Sequence, residues 1–168
     1  MNAAADKWRQ HAGIGQNADM VDDPIHKCIK HWHQHVSGNL AGGLDQILHE
    51  DVVFLSPIVF TPQRGRDITK IYLRAAGSTL ADLKPDDTDP SLDASGAGKF
   101  QYTKQILQGN HAMLEFETEV EGKYANGVDI ITCDNDGKIV EFKVMMRPLQ
   151  AINAVHAQMK AILEKLSD

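Results

Sequence analysis

The sequence predicts an α+β fold, a cone-shaped barrel in which N-terminal helices pack on a curved, mostly antiparallel sheet and a C-terminal helix closes the domain. Two observations carry this reading. Apolar residues recur at helical spacing through the first half of the chain. From Lys99 onward the pattern switches to period two, until a last helical stripe begins at Leu149. A cone of this kind has an open end, which is a ready-made pocket.

Residues 1–22 are rich in Ala, Asp and Gln, and read as an extension preceding a single domain over 23–168. The domain starts at DDPIHKCIKHWHQHV, where Asp22 or Asp23 can cap and Pro24 suits the first turn. Ile25, Cys28, Ile29, Trp32 and Val36 make one apolar stripe. SGN ends this helix, and LAGGLDQILHED reads as a second, short one with Leu40, Leu44, Ile47 and Leu48 inward. Gly42 and Gly43 weaken it by roughly 1 kcal/mol each relative to Ala.

VVFLSPIVFTP follows as a strand with turn chemistry at Ser56–Pro57 and Thr61–Pro62. RGRDITKIYLRAAGSTL is a third helix, with Asp67 near its start and Ile68, Ile71, Tyr72, Ala75 and Thr79 inward. The segment from about Asp82 to Gly98 is dense in Asp, Pro, Ser and Gly, and reads as a long mobile loop, a candidate lid.

KFQYTKQIL then sets Phe100, Tyr102 and Ile106 on alternate positions. AMLEFETEVEG alternates Leu114, Phe116, Thr118 and Val120 against Met113, Glu115, Glu117 and Glu119, so one face is covered and the other wet. YANGVDIITC and KIVEFKVMM complete the strands, joined by the Asp-Gly turn DNDGK. LQAINAVHAQMKAILEKL places Leu149, Ile152, Val155, Met159, Ile162 and Leu166 on one helix face.

Composition narrows the function. The 168 residues are 42% hydrophobic and 24% charged, with net charge −6 and no Lys/Arg stripe, which argues against nucleic-acid and anionic-membrane partners. Cys28 and Cys133 sit in apolar sequence and read as two buried thiols in a reduced compartment. The first residues lack the apolar core of a signal peptide and no stretch reaches membrane-spanning length, so a cytoplasmic location is expected. His26, His31, His33 and His35 cluster on the first helix but lack the further ligands a zinc site needs, so neither a metal nor a cofactor is expected. DNDG lacks the remaining ligands of a calcium loop and reads as a turn.

One residue stands out. Asp129 lies inside a strand whose neighbours Val128, Ile130, Ile131 and Cys133 are apolar, and burial of an unpaired carboxylate is costly. Asp129, Tyr72, His31 and Ser56 are therefore the candidate catalytic residues, with Asp129 expected within hydrogen-bond reach of Tyr72. Trp32, Phe54, Tyr102, Phe116, Phe142, Val144 and Met146 are the candidate walls of an apolar ligand pocket.

The stretches SGNLAGGLDQILHEDVVFLSPIV, GRDITKIYL and VDIITCDNDGKIVEFKVMMRPL resemble the nuclear transport factor 2-like superfamily. More narrowly they resemble its SnoaL-like branch of polyketide cyclases and ketosteroid isomerases. The resemblance covers roughly residues 24–166. It implies that Asp129 matches the strand Asp that the steroid isomerases keep protonated in their oxyanion hole. Tyr72 matches a helix tyrosine supporting that network, Ser56–Pro57 stands where the isomerases carry a general-base Asp before a proline, and His31 stands where they carry the oxyanion Tyr. Val144 falls where limonene epoxide hydrolases carry a final-strand acid. The implied activity is cofactor-free acid–base chemistry (isomerase, cyclase or dehydratase) on a hydrophobic carbonyl compound, by a protein that forms homodimers through its sheet face. A non-catalytic ligand-binding or sensing domain and a dimeric scaffold remain open, because this superfamily hosts all three.

Overall fold

The structure is a computed structural model, and it describes residues 23–80 and 100–165, with side chains through residue 161. The expected N-terminal extension and the 82–98 loop lie outside the described residues. The elements are α1 (Pro24–Val36), α2 (Gly43–Ile47), β1 (Leu48–Leu55), β2 (Gln63–Arg64), α3 (Arg66–Leu80), β3 (Gln101–Gln108), β4 (His111–Val120), β5 (Lys123–Cys133), β6 (Ile139–Arg147) and α4 (Leu149–Lys165).

The strands form one curved six-stranded sheet in the order β2-β1-β6-β5-β4-β3. All neighbours are antiparallel except β1 and β6, which run parallel with Phe54 opposite Phe142. The helices occupy the concave side: α3 packs on β1 and against α4, while α1 contacts β3, β4 and β5. The result is the α+β cone. Its core runs through Ile25, Ile47, Leu48, Phe54, Leu114, Phe116, Ile131, Ile139, Phe142 and Val155, all buried.

Helix α1 buries Ile25, Cys28, Ile29 and Trp32, the stripe its spacing predicts. Pro24 opens it, but Asp23 does not cap it. The Asp23 carboxylate instead accepts a hydrogen bond from the Gly109 amide at 2.7 Å and ties the helix start to the β3–β4 turn. Cys28 and Cys133 are free, buried thiols. Burial first, and then Cys133 itself, push the Cys28 thiol far above its ordinary range.

Three sequence expectations are corrected. The second helix is only five residues long, and Leu48 to Asp51, read as its continuation, begin β1 instead. A short turn preceded by glycine has little helical stability of its own, and pairing of Leu48 with Ile139 draws the chain into the sheet. Ile106 is half exposed and does not continue the alternation of Phe100 and Tyr102, because the register shifts between Tyr102 and Lys104 and inverts the strand's faces. Leu149 is exposed; the buried stripe of α4 is Ala151, Ala154, Val155 and Met159, one helical position away from it.

Candidate functional site

The alternation of β5 sets Gly127, Asp129, Ile131 and Cys133 on the buried face. Asp129 retains 6% of its surface exposure. Its β-ladder partners are Leu114 on β4 and Val144 on β6, both apolar, so the neighbouring strands supply no compensating charge. The compensation comes from β3. Tyr102 reaches over β4, and its hydroxyl donates to Asp129 Oδ2 at 2.6 Å. The Trp32 indole N–H on α1 in turn donates to the Tyr102 oxygen at 2.8 Å.

Packing fixes these groups. Trp32 lies against Phe142, with ring centroids 4.9 Å apart, and against His35 at 5.5 Å. Phe100 meets Tyr102 edge-on and stacks on Phe116. The Phe116 ring lies over Gly127 so closely that any Cβ there would collide with it, and with the Met145 carbonyl oxygen at 2.7 Å. Gly127 thus gives the aromatic wall room to lie flat on β5.

These side chains line a cavity of about 690 Å³, counting the part open to solvent. Its far wall is Leu73, Ala76, Gly77 and Leu80 from α3, with Val155 and Met159 from α4. Burial of Asp129 raises its carboxyl from an ordinary 3.8 to about 7, against the lowering effect of the Tyr102 hydrogen bond. Burial, then the Asp129 charge, pushes the Tyr102 hydroxyl well above its ordinary value, so it remains a donor. A carboxyl poised near 7 can give or take a proton at neutral pH.

All seven expected wall residues, Trp32, Phe54, Tyr102, Phe116, Phe142, Val144 and Met146, border this cavity, and so do Asp129 and Ser56. The other two do not. Tyr72 is buried with its ring packed on Phe54, at 5.5 Å, and the hydroxyl partner of Asp129 is Tyr102 in its place. Tyr72 and Asp129 belong to two separate sequence patterns, a helix stripe and a strand alternation, neither of which carries the angle between the elements. His31 is also absent from the lining, because one residue along a helix turns the side chain by about 100°. The histidine of α1 at the cavity is His35, three residues after Trp32. That i, i+3 spacing was visible in the sequence and could have selected it. Ser56 faces the cavity with its Oγ accepting from the amides of Ile58 and Val59 at 3.1 and 3.3 Å, so it closes a local turn.

Among the described residues no cluster of three or more His, Cys, Asp or Glu is arranged to hold a metal ion. No helix among them is long and apolar enough to cross a membrane.

No family model matches the chain, and no curated protein matches it. Solved structures do. A steroid delta-isomerase from Pseudomonas aeruginosa is 26% identical, with 86% of this chain and 96% of that chain covered at a TM-score of 0.69. An uncharacterized protein conserved in bacteria with a cystatin-like fold, from Silicibacter pomeroyi DSS-3, is also 26% identical, covering 82% and 86% at 0.63. A SnoaL-like polyketide cyclase candidate from Jannaschia sp. CCS1 is 10% identical and shares the fold, covering 85% and 99% at 0.58. With this helix and strand order, this curved sheet and these neighbours, the chain belongs to the nuclear transport factor 2-like superfamily, and its likeness to the SnoaL-like proteins is one of fold.

Proposed function

We propose that the chain is a cofactor-free acid–base enzyme, of the isomerase, cyclase or dehydratase type, acting on a hydrophobic carbonyl compound. One observation carries the reading: a carboxyl buried in a mostly apolar cavity and held by the Tyr102 hydroxyl at 2.6 Å, which burial pushes up to about 7. Asp129 is the proton-transfer group. Protonated, it donates to a carbonyl oxygen and stabilises the charge that develops there during enolisation. Ionised, it accepts a proton from a neighbouring carbon. The likeness to a steroid delta-isomerase supports a fused-ring or similarly flat ketone as the first substrate class to try.

The test is a panel of β,γ-unsaturated ketones, steroidal and non-steroidal, followed for double-bond migration and for exchange of the carbonyl-adjacent protons in D2O. The expected result is turnover by the wild type that falls by about 10²- to 10⁴-fold in Asp129→Asn while binding is kept. Turnover unchanged in that variant would remove Asp129 from the chemistry.

A second reading has its own support. The Ser56 hydroxyl is engaged by two backbone amides, so it is no base, and the cavity's titratable side chains are then His35, Tyr102 and Asp129. A non-catalytic binding or sensing domain needs no more than this. It predicts tight binding of the same ketones with no exchange in any variant. A scaffold with a filled cone is disfavoured by the cavity itself.

The same reading includes a homodimer through the outer sheet face. Ile106, Met113 and Ile130 share one row of the ladder there, and Val128 and Met145 share the next. It also places the protein in the cytoplasm, where Cys28 and Cys133 remain thiols.

A further inference from the structure

The hydrogen bonds from Trp32 to Tyr102 and from Tyr102 to Asp129 have a direction that chemistry fixes. An indole N–H can only donate, so the Tyr102 oxygen accepts at 2.8 Å. A phenol has one proton, and the Tyr102 oxygen lies 2.6 Å from Asp129 Oδ2. Suppose instead that Asp129 held its proton on Oδ2 and donated it to Tyr102. The Tyr102 oxygen would then accept twice, and its own proton would need another acceptor. Among the described residues the hydrogen bond recorded for that proton is the one to Asp129 Oδ2.

We propose that Trp32 is the positioning residue of this site: it turns the Tyr102 proton onto Asp129 Oδ2, and so leaves Oδ1 as the oxygen through which Asp129 meets a ligand. This rests on Asp129 being the proton-transfer group and adds which of its atoms works. Trp32 suits the role because it is buried and clamped by Phe142 and His35, so its N–H cannot swing away. A consequence for ligand chemistry follows. While Asp129 holds its proton, Oδ1 is a donor and selects a carbonyl oxygen. Once ionised, Oδ1 is an acceptor and selects a hydroxyl or enol.

Among the described residues, the groups recorded around the Tyr102–Asp129 pair come from three elements. From α1 they are His35, beside Trp32, and His33, whose ring lies 5.6 Å from that of Tyr102. From β4 and β6 they are the apolar Leu114 and Val144. Imidazole resonances therefore have to be followed alongside the carboxyl, to keep the histidine titrations apart.

The experiment is a carbon-13 titration of the Asp129 carboxyl in the ligand-free full chain, as wild type, Trp32→Phe and Tyr102→Phe. Phe at 32 keeps an aromatic ring in the slot and removes only the donor. Tyr102→Phe should raise the Asp129 midpoint by about one pH unit or more, since a hydrogen bond to a charged group is worth roughly 1.5–3 kcal/mol. Trp32→Phe should raise it by a few tenths of a unit, through the lost polarisation of Tyr102. A Trp32→Phe midpoint equal to wild type, beside a shifted Tyr102→Phe, would reduce Trp32 to packing and overturn the proposal. Should Trp32→Phe not fold, the wild-type indole N–H resonance decides. It should move with the Asp129 midpoint, and an indole blind to that ionisation overturns the proposal equally. No substrate is involved, so an absence of turnover in the ketone assays would strike the enzymatic reading and leave this result standing.

Discussion

The Tyr102 hydroxyl donates to Asp129 Oδ2 at 2.6 Å across the intervening strand β4, joining the sheet's edge strand to the centre of its concave face. One hydroxyl is thereby the partner of the one carboxyl among the cavity-lining residues. The stability and the chemistry of the cavity both depend on it.

The pH dependence of stability follows from Asp129. Its carboxyl titrates near 7 when folded and at an ordinary 3.8 when unfolded, so between those values the folded chain holds the extra proton. Stability from this group is therefore complete below about 3.8 and is lost as pH rises through 7, a change on the order of 4 kcal/mol. Asp129→Asn cannot ionise. Denaturant unfolding at pH 4.5 and pH 8 should show the variant gaining on wild type as pH rises. A difference that stays constant between the two would contradict the buried, neutral carboxyl.

Tyr102→Phe removes the donor to Asp129 and strands the Trp32 N–H. The expected loss is about 1–3 kcal/mol for the orphaned groups, larger at pH 8 than at pH 5 because the ionised carboxylate needs its donor more. Equal losses at both pH values would show that the hydrogen bond does not discriminate between protonation states.

Gly127→Ala would drive a methyl group into the Phe116 ring and the Met145 carbonyl. Backbone and ring must both shift, so a loss of roughly 1–3 kcal/mol is expected, as for overpacked cores. Because Phe116 and Phe100 brace Tyr102, the Asp129 midpoint should change as well. A stable variant with wild-type titration would mean the aromatic wall has slack that the packing does not reveal.

The outer face of the sheet tests the dimer. Met145 and Ile106 are 54% and 56% exposed, and Met113 is 44% exposed beside Ile106. Met145→Glu with Ile106→Lys should convert a sedimenting dimer to a monomer without changing the cavity. A wild-type protein that sediments as a monomer at tens of micromolar would remove the dimer from the account.

Much of this was legible in the sequence, for physical reasons. Period-two alternation through Leu114, Phe116, Thr118 and Val120 reports one covered face directly. Asp129 was conspicuous because a carboxylate among β-branched neighbours has few stable explanations. Pairings between elements were harder to see. Tyr102 meets Asp129 across a third strand, over a distance that register and curvature set. The bulge after Tyr102 turned Ile106 outward without any Gly or Pro to announce it. His35 rather than His31 lines the cavity because one helical step decides which way a side chain faces.

Whether Asp129 is a neutral-range acid inside its mostly apolar cavity is read directly by the pH titration of its side-chain carboxyl carbon in the wild-type protein, assigned by its disappearance in Asp129→Asn. A midpoint of about 7 is expected. A midpoint at or below the ordinary 3.8 would mean a permanently ionised carboxylate, and would contradict both the acid–base chemistry and the pH-dependent stability derived from it.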